Sequence, residues 1–414
     1  MLSSCFLRLA PFAVLVAPIV PLPAQSATDD SDLFSSDEQV LRIGDEDSNI
    51  TFAPFVQFDG GPVWLDPGED DWQGETALAR LYVFGQLGDL SGTLAYDFES
   101  DVLRYAFLGY AVTDRLTIRV GQQDEPFSLQ DFSGSRFLPF ATSGQSAALI
   151  PGDNLGATAL YGGENYSLAL GVFGGTAETG FDDNGTAVTG RATWAPIYSQ
   201  SEIERGGDAT QSGTGTQRVD DLLHLGIGLS ARFDIDDPVS FSGGGGSSLV
   251  PISLSSTPSI PDIDSLLRAN VEVSRQISSL SLQGEFTAAR LDAPAIEGTA
   301  TGGYLYATYF LTGERRGYSR SSGTFGRVIP IAPVDEGGFG AIEVGARVDY
   351  LDLTDLGNDV LGRAGAQWGA TAVLNAYLTK RITLNADYSH TETTAAPDDG
   401  QTSDALTFRF QFAY

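Results

Sequence analysis

The chain has 414 residues, 49 of them glycine, and a formal net charge of −31 at pH 7. This acidic balance leaves no basic surface that could displace counterions from phosphates, and so excludes a nucleic-acid partner. Hydrophobic residues make up 42% of the chain and the mean hydropathy is −0.04. A bundle of membrane-spanning helices is therefore excluded, whereas membrane β-strands, in which apolar and polar positions alternate, are not.

Residues 1–26 resemble a secretory signal peptide. Arg8 precedes an apolar run over residues 9–22, and Ala24-Gln25-Ser26 supplies small residues suited to cleavage. The run is too short to span a bilayer as a helix. Cys5, the only cysteine, lies before this run, so the mature chain offers neither a lipid anchor on cysteine, a disulfide framework nor a thiol nucleophile.

Residues 27–49 are acidic and lack strand periodicity, which predicts a flexible N-terminus, with a partner-binding segment as the alternative. From residue 50 to 414, apolar and polar residues alternate with period two. This pattern predicts an all-β fold, a transmembrane antiparallel β-barrel of about 16 strands. We place the strands at 50–58, 76–87, 92–99, 103–111, 115–122, 154–162, 165–174, 187–195, 222–233, 267–276, 280–290, 302–312, 340–351, 366–379, 382–391 and 403–414.

The connections between these strands alternate between short turns and longer loops. If the N-terminus is periplasmic, the short turns, such as 113–114 and 380–381, lie in the periplasm. Long loops, at 59–75, 175–186, 234–266, 352–365 and 393–402, then lie outside the cell. Connections 196–221 and 313–339 are exceptions, since they are long and periplasmic by the same count.

The last predicted strand carries a separate signal. Leu406, Phe408, Phe410, Phe412 and Tyr414 occupy every second position, and the chain ends on an aromatic residue. This pattern is typical of the C-terminal strand of an outer-membrane barrel and predicts localisation in the bacterial outer membrane, in contact with lipid and lipopolysaccharide.

Residues 121–156 interrupt the series of strands with a stretch that has no β periodicity. Phe127, Phe132, Phe137 and Phe140 are more apolar anchors than a solvated linker needs. We therefore expect this stretch, the third external loop, to fold into the barrel lumen, because long loops in compact folds are usually functional. Its one basic residue, Arg136, either contacts solute or forms a salt bridge to Asp124, Glu125 or Asp131 that only pins the loop.

If apolar positions face lipid, the opposite positions face the lumen, and these carry charges of both signs. The predicted basic positions are Arg80, Arg115, Arg119, Arg191, Arg232, Arg268, Arg347 and Arg409. The predicted acidic positions are Asp97, Glu99, Glu272, Glu285, Glu343, Asp349 and Asp387. We select Arg136 with Arg80, Arg115, Arg119, Arg347 and Arg409 as the candidate constriction and anion path.

Several motifs, in the right order, resemble the phosphate-selective porin O and P family. They are GQQDEPFSL at 121–129, SGSR at 133–136, PGDNLG at 151–156, HLG at 224–226, YFLTGE at 309–314, GAIE at 340–343 and NAYL at 375–378. The resemblance implies a 16-stranded, homotrimeric outer-membrane porin whose third loop folds into the channel beside an arginine-rich anion path. Within the loop motifs, Glu125, Pro126, Phe127 and Asn154 are the candidate loop anchors.

The predicted function is passive diffusion of small inorganic or organic anions, phosphate and polyphosphate among them. Guanidinium groups match the oxygens of phosphate. The chain nevertheless has one lysine, Lys380, and acidic external residues such as Asp66, Glu69, Asp70 and Asp71, which repel approaching anions. A porin of the same fold for cationic or neutral solutes therefore stays open, as does a plugged structural or adhesion barrel.

The sequence offers few residues of the kinds that enzymes use for catalysis. His224 and His390 are the only histidines, and Ser389 and His390, as neighbours on a strand, point to opposite faces. The glycines at 243–246 are followed by neither lysine nor helix, so they predict a loop rather than a phosphate cradle. We predict no enzyme, no cofactor and no metal site, although acidic external loops that bind calcium remain an alternative.

Overall fold

The computed structural model of the protein describes residues 42–45, 47–68, 70–181, 184–202, 217–357, 364–395 and 400–414. Sixteen antiparallel strands form one closed barrel, so the predicted fold class is confirmed. The strands are β1 (Ser48–Asp66), β2 (Asp71–Leu87), β3 (Leu90–Asp97), β4 (Val102–Thr113), β5 (Leu116–Asp124), β6 (Asp153–Gly162), β7 (Tyr166–Phe173), β8 (Thr186–Glu202), β9 (Gln217–Ile235), β10 (Ile263–Ile277), β11 (Leu280–Ala293), β12 (Ile296–Phe310), β13 (Ala341–Asp352), β14 (Ala366–Tyr377), β15 (Ile382–Ala395) and β16 (Thr402–Ala413).

The barrel closes where β1 pairs with β16. The register runs from Phe55 opposite Ala413 to Asp66 opposite Thr402, and each strand pairs with its neighbour in the chain. Closure leaves no unpaired strand edge, which lipid would not tolerate. Among the described residues, no helix has the length and apolar character needed to cross a membrane.

The strand faces have the inverse polarity of a soluble protein. On β11, Leu282 and Phe286 are 39% and 47% exposed, whereas Gln283 and Glu285 between them are 1% and 5% exposed. Because lipid surrounds a membrane barrel, apolar side chains point outward and polar ones point inward. The alternation therefore separates an exterior face from an interior face on each strand.

Strand lengths differ around the barrel. β3 and β7 have 8 residues each, and β5 has 9, whereas β1 and β9 have 19 each. Strands β2 to β7, which include the shortest strands of the barrel, form one side of it that we call the low wall. Residues 42–44 add a short strand, Arg42–Gly44, that pairs with residues 49–51 of β1.

One predicted loop is wrong. Residues 59–75 were expected outside the sheet, but β1 continues to Asp66 and β2 begins at Asp71. The sequence Gly60-Gly61-Pro62 suggests a turn, yet Gly61 lies where a β-carbon would come within 1.8 Å of the Leu406 carbonyl oxygen. The glycine therefore permits close strand approach rather than marking a turn.

The remaining short elements lie in the connections. The long loop, residues 125–152, contains an α-helix at Leu129–Ser133 and 3-10 helices at Ser135–Phe137 and Gln145–Leu149. Residues 236–262 contain paired strands Ser242–Gly244 and Ser253–Ser256. The return segment, residues 311–340, contains paired strands Tyr318–Ser319 and Thr324–Phe325 and a 3-10 helix at Val334–Glu336; another such helix is Thr354–Leu356.

The predicted signal peptide, residues 1–26, lies outside the described residues, as do Glu69 and most of residues 27–49.

Candidate functional site

A cavity of about 640 Å³, the main cavity, lies between the low wall of the barrel and the long loop. Strands β2 to β8 contribute to its lining, and the loop contributes residues 131–136. The cavity reaches the short turns at Gly88 and Asp114. It therefore opens toward the end of the barrel where the short turns lie.

Six arginines line the main cavity. They are Arg80, Arg104, Arg115, Arg119, Arg136 and Arg191. Four of these, Arg80, Arg115, Arg119 and Arg136, belong to the predicted anion path, so the structure brings them together. Four aspartates, Asp89, Asp114, Asp124 and Asp131, share the lining.

The cavity arginines have partners of different kinds. Arg80 donates to Asp97 at 2.9 Å, and Arg191 forms a buried pair with Glu272 at 2.8 Å. Arg115 lies 3.9 Å from the exposed Glu164, and an ion pair at this distance in water contributes little free energy. The Arg119 guanidinium lies over the Phe107 ring, 5.0 Å from its centroid.

Arg136 lies on the long loop and faces the low wall. Its guanidinium carbon is 4.8 Å from the centroid of Tyr82 and 5.0 Å from that of Phe137. Of the three acids proposed to pin Arg136, Glu125 is bonded to Arg232, Asn154 and Thr189. The aromatic contacts hold a half-buried guanidinium at the cavity surface.

Arg347 and Arg409 lie outside the main cavity, on the opposite wall of the barrel. Arg347 pairs with Asp349 at 2.8 Å and donates to the Thr142 carbonyl at 2.6 Å. Arg409 pairs with Asp59 at 2.6 Å and donates to the Ala141 carbonyl at 2.5 Å. Both guanidinium groups therefore bind the backbone of the long loop.

Acidic residues on the same wall also bind the loop. Glu285 accepts from the amides of Leu129 and Gln130 at 3.0 and 2.8 Å, at the start of the loop helix. Asp387 accepts from the Ala141 amide at 2.8 Å. Sequence reasoning placed these two acids along the lumen, but their carboxylates are bonded to the loop backbone.

The predicted loop anchors are buried. Glu125 and Phe127 are both fully buried, and Asn154 donates to Glu125 at 2.8 Å. Pro126 is buried between them. The Phe127 carbonyl approaches β9 so closely that a β-carbon on Gly228 would lie 2.0 Å from its oxygen. The backbone of β9 therefore needs glycine at this position.

The return segment packs against the long loop. Phe325 donates its amide to the Ser133 hydroxyl at 3.0 Å. The fully buried Arg316 donates to Gln283 at 3.0 Å and stacks on Phe325 at 3.9 Å from the ring centroid. Arg316, two residues after the YFLTGE motif, thus supplies a contact between the two connections.

A small cavity of about 40 Å³, the basic cavity, lies beside the loop and the return segment. Its charged lining consists of Arg136, Arg327, Lys380, Arg381 and Arg409, with no carboxylate among the described lining residues. Burial and the neighbouring charges of Arg136 and Arg381 lower the pKa of Arg327 to about 10. The only lysine of the chain therefore belongs to a cationic cluster.

A third cavity, the outer cavity, has a volume of about 390 Å³ and lies at the end of the barrel opposite the short turns. Arg104, Arg232 and Arg268 line it, together with Asp153 and Glu178. Arg104 lines both this cavity and the main cavity, and it pairs with Asp153 at 2.8 Å. Sequence reasoning missed Arg104 because regular alternation gives it the same face as the exterior residues Leu108 and Tyr110, whereas a register shift between Tyr105 and Leu103 interrupts the alternation on β4.

The two histidines are bonded within the barrel wall. His224 is fully buried between Tyr318, at 2.7 Å, and Glu272, at 2.9 Å. His390 is 3.0 Å from Asp404. Within the described part of the chain, no group of three or more histidine, cysteine or acidic residues is arranged to hold a metal ion.

The fold and the motifs define a porin. Residues 78–414 match the family described as phosphate-selective porin O and P, and the chain belongs to that family. A protein of Caulobacter vibrioides described as uncharacterized is 27% identical over 397 residues, which cover 91% of this chain and 75% of the relative. The protein is accordingly a β-barrel of the bacterial outer membrane.

Solved porins share the fold at low identity. The anion-selective porin of Comamonas acidovorans has a TM-score of 0.55 and 11% identity, over 89% of this chain and 100% of that one. OmpT of Vibrio cholerae has a TM-score of 0.53 and 11% identity, over 90% and 100%. OmpF of Salmonella typhi, solved with daunomycin, has a TM-score of 0.53 and 12% identity, over 90% and 100%.

Proposed function

We propose that this outer-membrane porin conducts small anions by passive diffusion, and that the long loop lies in the lumen as its constriction. The observation that carries the proposal is the convergence of Arg80, Arg104, Arg115, Arg119 and Arg136 on the main cavity. Of these, Arg136 comes from the loop itself. A ring of like charge at a narrow point is how channels select ions.

The contacts of the loop support its role as a constriction. The loop starts and ends on neighbouring strands, β5 and β6, yet it bonds to interior-face side chains of β11, β13, β15 and β16. A connection that reaches those strands crosses the barrel interior. The open path is then confined to the side of the low wall.

The distribution of arginines suggests a route along the pore. Arg232 and Arg268 lie at the outer cavity, Arg104 lies between the two cavities, and Arg115 lies near the short turns. Successive weak sites let an anion enter and leave, which conduction requires. Phosphate fits guanidinium groups and is the candidate solute that the family description suggests, and polyphosphate carries the same phosphate oxygens.

We also propose that the porin is a homotrimer. The fold is shared with OmpT of Vibrio cholerae, one structure of which is described as a trimer form. Sedimentation of the detergent-solubilised protein tests this assembly independently of conduction.

The test of anion conduction is the reversal potential of the purified porin under a potassium chloride gradient in a planar bilayer. We expect anion selectivity, and a reduction of the chloride current when phosphate is added. Arg136→Ala should lower the anion-to-cation permeability ratio about two- to threefold, since a unit charge at roughly 8 Å in water contributes about 0.5 kcal/mol.

Arg290→Ala is the matched control for charge loss. Arg290 pairs with Glu297 on the exposed surface, with 59% of its side chain accessible, so its loss should leave selectivity unchanged. Cation selectivity of the wild type would favour a porin of this fold for other solutes. Absence of conductance would favour a plugged structural barrel.

A further inference from the structure

Four aromatic side chains form a continuous row on the low wall of the main cavity. Tyr82, Phe84, Tyr105 and Phe107 all line the cavity, and we call them the aromatic row. The Tyr82 and Phe84 rings stack with centroids 5.7 Å apart and planes 7° apart. Tyr82 lies 6.2 Å from Tyr105, and Tyr105 lies 6.3 Å from Phe107.

These rings differ from the apolar residues that contact lipid. On β4, Leu108 and Tyr110 are 60% and 53% exposed on the exterior face. Phe84 and Phe107 are half-buried and line the cavity instead. The interior of a membrane barrel is ordinarily polar. Two phenylalanines at the surface of a water-accessible cavity therefore need a reason other than contact with lipid.

Guanidinium groups flank the aromatic row. Arg119 lies over Phe107, Arg136 lies over Tyr82, and Arg80 lies 5.8 Å from the Tyr82 centroid. Each cation thus stands beside an apolar ring face. A ligand that spans such a pair has a negative group for the guanidinium and a flat apolar part for the ring.

The opposite wall uses its aromatic residues differently. Tyr304 donates its hydroxyl to Glu285 at 2.5 Å, and Tyr306 donates to Gln283 at 2.7 Å. Phe140 of the long loop packs on Tyr306, 5.3 Å between centroids. Those rings are covered by the loop, whereas Phe84 and Phe107 of the aromatic row are half-buried at the surface of the main cavity.

We propose that the aromatic row and its flanking arginines bind organic anions that carry a planar apolar face, with aromatic carboxylates as the chemical class. The ring of the solute stacks on Phe84 or Phe107 while its carboxylate meets Arg119 or Arg136. This inference rests on the proposed anion conduction and adds a solute class to it. Binding is weak, as passage through the pore requires.

The test measures block of the chloride current by benzoate and, separately, by acetate. Both are monocarboxylates, so their comparison isolates the ring. We expect the half-blocking concentration of benzoate to be about tenfold lower than that of acetate. In the double variant Phe84→Leu, Phe107→Leu, this preference should fall about fivefold, because leucine keeps the apolar volume but removes the aromatic face.

Two further variants make the result specific. Tyr110→Leu, on the exterior face of β4, should keep the wild-type preference for benzoate. The double variant Phe84→Tyr, Phe107→Tyr retains both rings and should keep the preference even if the leucine variant folds poorly.

An anion-selective channel with equal block by benzoate and acetate would overturn this inference and leave the proposed function intact. It would also be overturned if the wild type and the double variant Phe84→Leu, Phe107→Leu showed the same preference for benzoate over acetate. A cation-selective reversal potential in wild-type channels would instead overturn the proposed function, and the inference with it.

Discussion

The two walls of the barrel carry opposite arrangements of the same residue types. On strands β9 to β16, charged side chains are buried and bonded to the long loop, as Glu285 and Arg409 are. On strands β2 to β7, the rings of Phe107 and Tyr82 line the main cavity and contact the guanidinium groups of Arg119 and, from the long loop, Arg136. The side chains of one wall therefore hold the long loop, whereas those of the other wall line the main cavity.

This difference bears on how a chain of acidic composition agrees with the proposed anion path. Carboxylates such as Glu285 and Asp387 accept hydrogen bonds from the loop backbone and do not line the main cavity. Net charge is a property of the whole surface, whereas selectivity depends on the groups at the narrowest point. The net charge of −31 is thus compatible with anion conduction.

The largest effect should follow from Glu285→Ala, which removes contacts between the long loop and the wall formed by strands β9 to β16. Two loop amides and the hydroxyl of Tyr304 would lose their acceptor. Unsatisfied buried donors cost about 1–3 kcal/mol each, so the population of detached loop should rise roughly 30-fold or more. We expect larger, noisier conductance and trypsin cleavage after Arg136.

Glu297→Ala supplies the control for that experiment. Glu297 is an exposed acid, paired with Arg290, with 57% of its side chain accessible. Its variant should resist trypsin as the wild type does. If the loop of the Glu285→Ala variant also resisted trypsin and its conductance were unchanged, the contacts on strands β9 to β16 would not be what holds the loop.

A second pair of variants compares an arginine that lines the main cavity, Arg119, with one that binds the long loop, Arg409. Arg119→Ala should lower the anion-to-cation permeability ratio about twofold without exposing the loop to trypsin. Arg409→Ala should expose the loop about tenfold more to trypsin, because a buried Asp59 and the Ala141 carbonyl lose their donor. The comparison of the two walls fails if both variants change the same property.

The smallest effect concerns pH. Burial, together with the nearby charges of Asp153 and Glu285 and against that of Arg104, raises the pKa of Asp131 to about 7. Asp131 lines the main cavity from the long loop. A raised pKa means that the carboxyl is neutral below pH 7 and becomes charged above it, adding negative charge to the path.

We therefore expect the anion-to-cation permeability ratio to fall about twofold as pH rises from 5.5 to 8.5, with a midpoint near 7. Reversal potentials measured across this range give the profile. Asp131→Asn should hold the ratio at its low-pH value throughout. A persistent midpoint near 7 in that variant would assign the titration to another group.

Much of the barrel could be predicted because the alternation of apolar and polar residues is a local property. Each of the sixteen predicted strands overlaps one observed strand. The error at residues 59–75 arose because Gly60-Gly61-Pro62 has the composition of a turn. Only the approach of Leu406 to Gly61 shows why glycine lies in a paired strand there.

The candidate site was predictable in part. Assigning apolar residues to lipid identified Arg80 on β2 and Arg119 on β5. The same rule failed on β4, where Tyr105 and Phe107 line the cavity and Leu108 and Tyr110 face outward. Because both faces of β4 carry apolar residues, the alternation does not show which face is interior, and Tyr105 and Phe107 were missed.

The class of fold, the number of strands and the family could be predicted from the sequence, because periodicity and motifs are patterns of residues close together in the chain. The arginines that line the main cavity could be identified only from the folded chain. Arg347 and Arg119 look alike in sequence, since each lies on the polar face of a strand. Their surroundings differ because the long loop covers one wall and leaves the other open, and that choice depends on contacts between residues distant in the chain.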